Sequence, residues 1–185
     1  MQATRVLDGL TPRAREIVQV ARELLEREGP AALSMRRLGD QIGIRASSIY
    51  EHLRDKDALE AALISVGFEE QAELFARAVQ GAANPILALT SAYRDFARRQ
   101  PNLYRLMTER ALRHDLLAPG VEEAAALPLL HATGGDHEQA RAIWAFAHGM
   151  VILELNHRFP GSADLDTTWR KGIDLFAGQP DADQP

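Results

Sequence analysis

The chain has 185 residues, 46% of them hydrophobic and 25% charged, with no cysteine and a formal net charge of −5. That length allows a proper core and one or two domains, while the absence of cysteine excludes a disulfide framework, thiolate metal sites and thiol catalysis. The opening MQATRVLDGLTPR lacks the apolar core of a signal peptide, and the most apolar run, Ala142–Leu153, is interrupted by His148 and Gly149 and too short to span a bilayer, so the chain reads as soluble and cytoplasmic with no membrane partner.

Alternating β-branched runs are absent and nearly every long segment has helical spacing, which makes the expected fold class all-α. Thr11 is placed to cap a first helix over Pro12–Glu28, with Pro12 at its first position and Gly29-Pro30 as its stop. Ile17, Val20, Ala21, Leu24 and Leu25 form its apolar stripe. Ser34 caps a second helix ending near Gly43, a third occupies about Ala46–Leu53, and Asp55 opens a long fourth that runs toward Gln80. After the break at Gly81–Pro85 a fifth helix runs to about Gln100, and Pro101-Asn102 starts a sixth bearing Leu103, Tyr104, Leu106 and Met107. A seventh lies between Gly120 and Gly134, a strongly apolar eighth spans His137–Arg158, and an amphipathic ninth spans Asp166–Ala177. Residues 1–56 thus read as a three-helix head, 57–178 as a helical body and 179–185 as a flexible tail.

The stretch SMRRLGDQIGIRASSIYEHLRDKDAL, residues 34–59, has the spacing of a helix-turn-helix. Two helices crossing steeply need a small residue midway along the first, and Gly39 supplies it. The turn between them needs a residue tolerant of positive φ, and Gly43 supplies that. Met35, Leu38, Ile42, Ile44, Ile49 and Leu53 fall where the helices face their shared interior, whereas Arg45, Ala46, Ser47 and Ser48 build no core. A short helix that turns such residues outward is shaped for the DNA major groove, where Arg pairs with guanine O6/N7 and Ser donates or accepts. Ser34, at a helix N-terminus, offers a phosphate seat; Tyr50, His52 and Lys56 are placed to reach phosphates; Arg36 and Arg37 flank the groove. For each side chain taken alone, the competing reading is a solvated surface residue. Charge distribution agrees with the DNA reading: residues 1–58 hold ten Lys or Arg against nine Asp or Glu, whereas the remainder holds eleven against seventeen. An acidic body turns a duplex away from every face but the head.

Thr11–Leu59 resembles the DNA-binding domain of the TetR family of bacterial transcriptional regulators. That family typically shows Gly-Val-Ser-x-x-x-Leu/Ile-Tyr-x-His/Tyr-Phe-x-x-Lys-Glu/Asp-x-Leu after a Thr/Ser-capped helix. Here the run is GIRASSIYEHLRDKDAL, from Gly43 to Leu59. The resemblance implies that Ser34, Tyr50, His52 and Lys56 contact phosphates and that Arg45–Ser48 supply base readout. Arg45 departs from the usual Ser that caps the recognition helix, Gly39 stands where Ala is common, and Leu53 replaces an aromatic. The spacing Trp144-x-x-x-His148-Gly149 also resembles a C-terminal subtype among TetR relatives.

In the body, Ile143–Leu153 is apolar almost all the way round, so it is either buried on every side or buried on one side by its own domain and on another by a partner. With the final helix, Trp169, Ile173 and Phe176 included, it would form a four-helix interface in a homodimer through the helices near 137–158 and 166–177. Two heads on a two-fold axis read a palindrome. Tyr93, Phe96, Tyr104, Met107, Trp144 and His148 are expected to line the body's interior, either as ordinary core or as the wall of a pocket for a small, moderately apolar effector.

An enzyme is not expected: the histidines at 52, 114, 131, 137, 148 and 157 show no HExxH-type spacing, and neither a phosphate loop nor a nucleophile elbow is present. No cofactor or metal is expected. The resemblance implies a repressor released from its operator by a small molecule; the alternative is a regulator or adaptor whose body only dimerises.

Overall fold

The structure is a computed structural model that describes residues 6–177; the tail expected over 179–185 lies outside them. Among the described residues there are nine α-helices, three short 310 helices and no strand. The α-helices are α1 Pro12–Glu28, α2 Met35–Ile42, α3 Ala46–Tyr50, α4 Lys56–Val79, α5 Pro85–Arg99, α6 Pro101–Thr108, α7 Val121–Ala132, α8 His137–Leu155 and α9 Leu165–Ala177. The 310 helices, Val6–Gly9, Pro30–Ala32 and His114–Leu116, carry no long apolar period and were not evident in the pattern.

Two compact units divide the chain, with borders inside α4 and α7 and at the end of α5. The first holds the residues up to Glu73 together with Arg99–Ala125. In it α1 begins as its residues dictate, with Thr11 Oγ1 accepting from the Ala14 N–H at 3.2 Å and Pro12 at the first helical position. Its buried face is Ala14, Ile17, Val18, Ala21, Leu24 and Leu25, so Val18 takes the place expected of Val20, which is only half-buried. A helix touched on more than one side has a wider buried arc than a single stripe, and α1 meets both α2 and α6.

The α6 contact is polar at one end. Glu26 Oε1 accepts the Leu103 N–H at 2.9 Å, satisfying one of the orphan donors at the α6 N-terminus, and the Asn102 side-chain amide donates to the Glu26 carbonyl at 3.0 Å. Arg22 donates to Gln100 and, at 3.0 Å, to Glu70. Burial pushes the Glu26 carboxyl above its ordinary pKa, and the Leu103 bond and the Arg22 charge only partly oppose this. Where α4 crosses α6 the two come close: a Cβ at Gly67 would meet Met107 Sδ at 2.6 Å and Leu103 Cδ2 at 3.1 Å.

The second unit holds Leu74–Arg98 and the chain from Ala126 on. Its centre is a tie among α5, α8 and α9. Arg94 donates to Glu154 at 2.9 Å and to Asp166 at 2.6 Å, lies 5.5 Å over the Trp169 ring, and Trp169 Nε1 donates to Glu154 as well. Phe146 sits edge-on to Trp169 with ring centroids 5.7 Å apart, directly over Gly172, where a Cβ would collide with the ring. Ile143, Ala147, Met150 and Val151 of α8 and Ile173 of α9 are buried.

Candidate nucleic-acid interface

The helix-turn-helix is built from α2 and α3. Ser34, extended at φ −143°, caps α2, its Oγ accepting the Arg37 N–H at 3.3 Å. The hydroxyl proton is thereby left to donate outward. Gly43 ends α2 in the left-handed region at φ 75°, ψ 30°, and both its N–H and that of Ile44 bond to the Gly39 carbonyl. Gly39 is buried, and a Cβ there would lie 2.6 Å from the Ile44 carbonyl oxygen and 3.2 Å from the Ala46 nitrogen. The crossing is therefore a backbone-to-backbone contact.

Met35, Leu38, Ile49 and Leu53 are buried as expected, with Leu38 and Ile49 fully so; Ile42 and Ile44 are half-buried. Burying Ile49 contributes about 1.5–3 kcal/mol, enough to pin a helix too short to stand alone. That helix is shorter than the pattern implied. It ends at Tyr50 rather than near Leu53, because the His52 and Leu53 N–H groups both turn back to the Ile49 carbonyl at 2.9 Å. Leu53 then anchors the turn into α4 instead of extending α3. Arg45 occupies the cap position of α3 without a side-chain cap, as its identity dictates.

Around this frame the candidate DNA contacts separate by exposure. Arg45, Ser47 and His52 are exposed and Tyr50 is 52% exposed, all on α3 or its immediate flanks, while Ala46 and Ser48 are half-buried. Arg36 is exposed on α2. Arg37 is exposed too but is ion-paired to Glu28, whose carboxyl it holds below its ordinary pKa. At the start of α4, Asp55 caps the helix by accepting the Ala58 N–H at 2.8 Å, and Lys56 Nζ lies 3.3 Å from Glu60 Oε1. That ion pair lacks hydrogen-bond geometry, since the same oxygen is buried without a hydrogen-bond partner. The other Glu60 oxygen accepts from Arg110 at 3.3 Å. The Lys56-x-x-x-Glu60 spacing was the signal that could have revealed Glu60; Arg110 carried none.

Two family descriptions match the chain. Residues 17–63 match bacterial regulatory proteins of the tetR family, and residues 86–176 match the tetracyclin repressor-like C-terminal domain. The chain belongs to the TetR family. It is a DNA-binding transcriptional regulator rather than an enzyme. A helix-turn-helix-type transcriptional regulator of Mycobacterium tuberculosis is 29% identical over 149 residues, covering 75% of this chain and 68% of the relative. A solved Rhodococcus protein of unknown function superposes with a TM-score of 0.70 at 26% identity, over 91% of this chain and 94% of its own. A TetR transcriptional regulator of Rhodococcus superposes at 0.61 and 21% identity, over 91% and 97%, and shows the fold alone.

The six residues expected to line a pocket are divided between the two units. Tyr104 and Met107 belong to the first unit; Tyr93, Phe96, Trp144 and His148 belong to the second. Tyr93, Phe96, Tyr104 and Met107 are packed at 6% exposure or less. Trp144 corrects the expectation outright. It is 54% exposed, because α8 turns Ile143, Ala147, Met150 and Val151 inward and Trp144 falls at the edge of that arc, beside Val151. It stacks on His148, one turn along, at 6.2 Å. A pocket of about 50 Å³ in the first unit, lined by residues that include Ala61, Ile64, Leu106 and Leu117, contains none of the six. No helix among the described residues is long and apolar enough to cross a membrane.

Proposed function

We propose that this TetR-family regulator is a homodimeric repressor that reads a palindromic operator with α3 and is released by a small, moderately apolar effector. The observation that carries the DNA reading is the geometry of α3: a five-residue helix held by Ile49, with Arg45, Ser47, Tyr50 and His52 turned away from the core. Arg45 and Ser47 read base edges; Ser34, Tyr50, His52 and Lys56 hold phosphates; Ala46 and Ser48 set how closely α3 approaches the groove.

Dimerisation is supported by exposed apolar side chains on α8 and α9: Trp144 is 54% exposed and Leu175 is 77% exposed. A second copy packed over them would form a four-helix interface.

Release by an effector requires differential affinity for two states. Because Tyr93 and Phe96 are closed in this state, an effector that reaches them binds only a rearranged second unit, which links occupancy to a change of conformation. The same closed packing favours a second reading, in which the body only dimerises. One titration separates them. The full-length protein is added to labelled DNA from upstream of its own coding sequence, and a panel of apolar small molecules is then added. Sequence-selective binding followed by release supports the sensor; selective binding indifferent to the whole panel supports the dimerising body; no DNA binding refutes both.

A further inference from the structure

We infer that Arg110 and Arg113, which lie outside the helix-turn-helix, form a second set of DNA-phosphate contacts beside Lys56. The inference rests on the reading that α3 docks on duplex DNA, and adds a segment of the chain after α6 to the docking surface.

The placement follows from how α6 and its extension descend along α4. Leu103 and Met107 pack at Gly67, Leu106 lines the small pocket with Ile64, Arg110 Nη1 donates to Glu60 at 3.3 Å, and Arg113 Nη1 lies 3.7 Å from Asp57. The partners on α4 therefore step from Gly67 through Ile64 and Glu60 to Asp57, about one helical turn at a time. Lys56 is the next residue. The segment is held at its far end as well, where the Ala118 N–H donates to the buried Ser65 Oγ at 3.0 Å. Leu112 and Leu117 line the same pocket wall as Ala61. The two arginines are thus presented by a pinned loop at the N-terminal end of α4, the helix that follows the recognition helix in the chain.

Their surroundings leave them available. The side chains of Arg110 and Arg113 are 62% and 56% exposed. Arg110 makes one contact, with Glu60. Arg113 makes a two-pronged pair with Asp115, at 3.0 and 2.9 Å, besides the looser approach to Asp57. Surface ion pairs of this kind are weak and screened by salt. A guanidinium fork matches a phosphate as well as it matches a carboxylate, and phosphate contact also releases counterions from the duplex. In the free protein Asp57, Glu60 and Asp115 hold the cations in place; on DNA the phosphates take over.

Phosphate contacts are independent of sequence, so a 30-base-pair duplex of mixed sequence serves as the probe. Binding of the full chain is measured by fluorescence anisotropy across a salt series, for wild type, K56A, R110A, R113A, R113K and the R110A/R113A pair. Each alanine variant is expected to reduce the slope of log K against log salt by about 0.9 per bound protomer, with the double variant losing about twice that and R113K keeping the wild-type slope. A wild-type slope in the double variant, with K56A still losing its share, overturns the inference and leaves the DNA reading intact. Failure of the wild type to bind any duplex overturns the reading beneath it. If R110A unfolds by leaving Glu60 unpaired, the exposed R113A decides the matter alone.

Discussion

Gly39→Ala tests whether the α2–α3 crossing is as tight as its backbone indicates. In a helix interior Ala is favoured over Gly by about 0.8–1.0 kcal/mol, so propensity alone predicts stabilisation. Against this stands the added Cβ, at 2.6 Å from the Ile44 carbonyl oxygen and 3.2 Å from the Ala46 nitrogen. Both are main-chain atoms of the turn, and neither can rotate away as a side-chain tip can. Overpacking of this kind costs about 1–3 kcal/mol. The expected balance is a loss near 1 kcal/mol, or a fall in Tm of about 2–4 °C for a chain of this size. Relief requires α3 to move outward from α2, so the larger effect should fall on DNA affinity.

The assay is a thermal melt paired with anisotropy titrations on upstream and mixed-sequence duplexes. Gly43→Ala provides the contrast. Nothing lies within 4 Å of its missing Cβ, yet φ is +75°, so Ala there costs about 1–2 kcal/mol through the backbone without pushing α3 away. If Gly39→Ala raises Tm and leaves DNA affinity unchanged, the close-crossing argument is wrong and the position tolerates the Ala common in the family pattern.

Four other substitutions probe separate parts of the reading. Tyr50→Phe should weaken binding by about 1 kcal/mol on specific and random duplexes alike, because a phosphate bond carries no sequence information; a change in sequence preference would contradict the assignment. Arg45→Ala should relax selectivity at one base position at a cost of about 1–3 kcal/mol, and a uniform loss would reassign Arg45 to the backbone. Trp144→Glu puts a charge in the proposed dimer face and should yield monomers in sedimentation at micromolar concentration; an intact dimer would place the interface elsewhere. Burial holds the His148 imidazole below its ordinary pKa of about 6.5. Its neutral form therefore supports the folded state above that value, and the support is lost as pH falls through the depressed folded pKa. His148→Gln should flatten the acid side of a Tm-against-pH curve between pH 8 and 5, and an unchanged curve would refute the linkage.

The helix ends were legible wherever a residue type has one local meaning. Thr11-Pro12, Ser34, Gly43 and Asp55 sit at their caps because each acts on its own backbone within four residues. The end of α3 was not legible, because Leu53 satisfies helical spacing equally well as a turn anchor, and only the double return to the Ile49 carbonyl decides between the two. Trp144 misled for a related reason. An all-apolar helix announces that every side is covered without saying which side its own chain covers, and the large ring at 144 fell at the edge of the covered arc. The cations after α6 were illegible outright. Arg110 meets Glu60 across fifty residues, a pairing set by how α6 lies along α4 and by nothing in the local pattern.

That packing also decides which helices can carry a signal to the DNA. The head does not end where the long connecting helix begins: α6 shares its compact unit. Its N-terminus is capped by Glu26 from the last turn of α1, and its C-terminal extension holds the first turn of α4 through Arg110 and Arg113. Burial raises the Glu26 pKa, so part of the stabilisation from this charged cap is offset by its desolvation. A displacement of α6 by a fraction of a turn would strain the Glu26 bond at one end and uncover Glu60 at the other, where Lys56 stands. The effector release proposed above would need no movement of α3 within the head. It would need only that α6 shift its grip on α1 and α4.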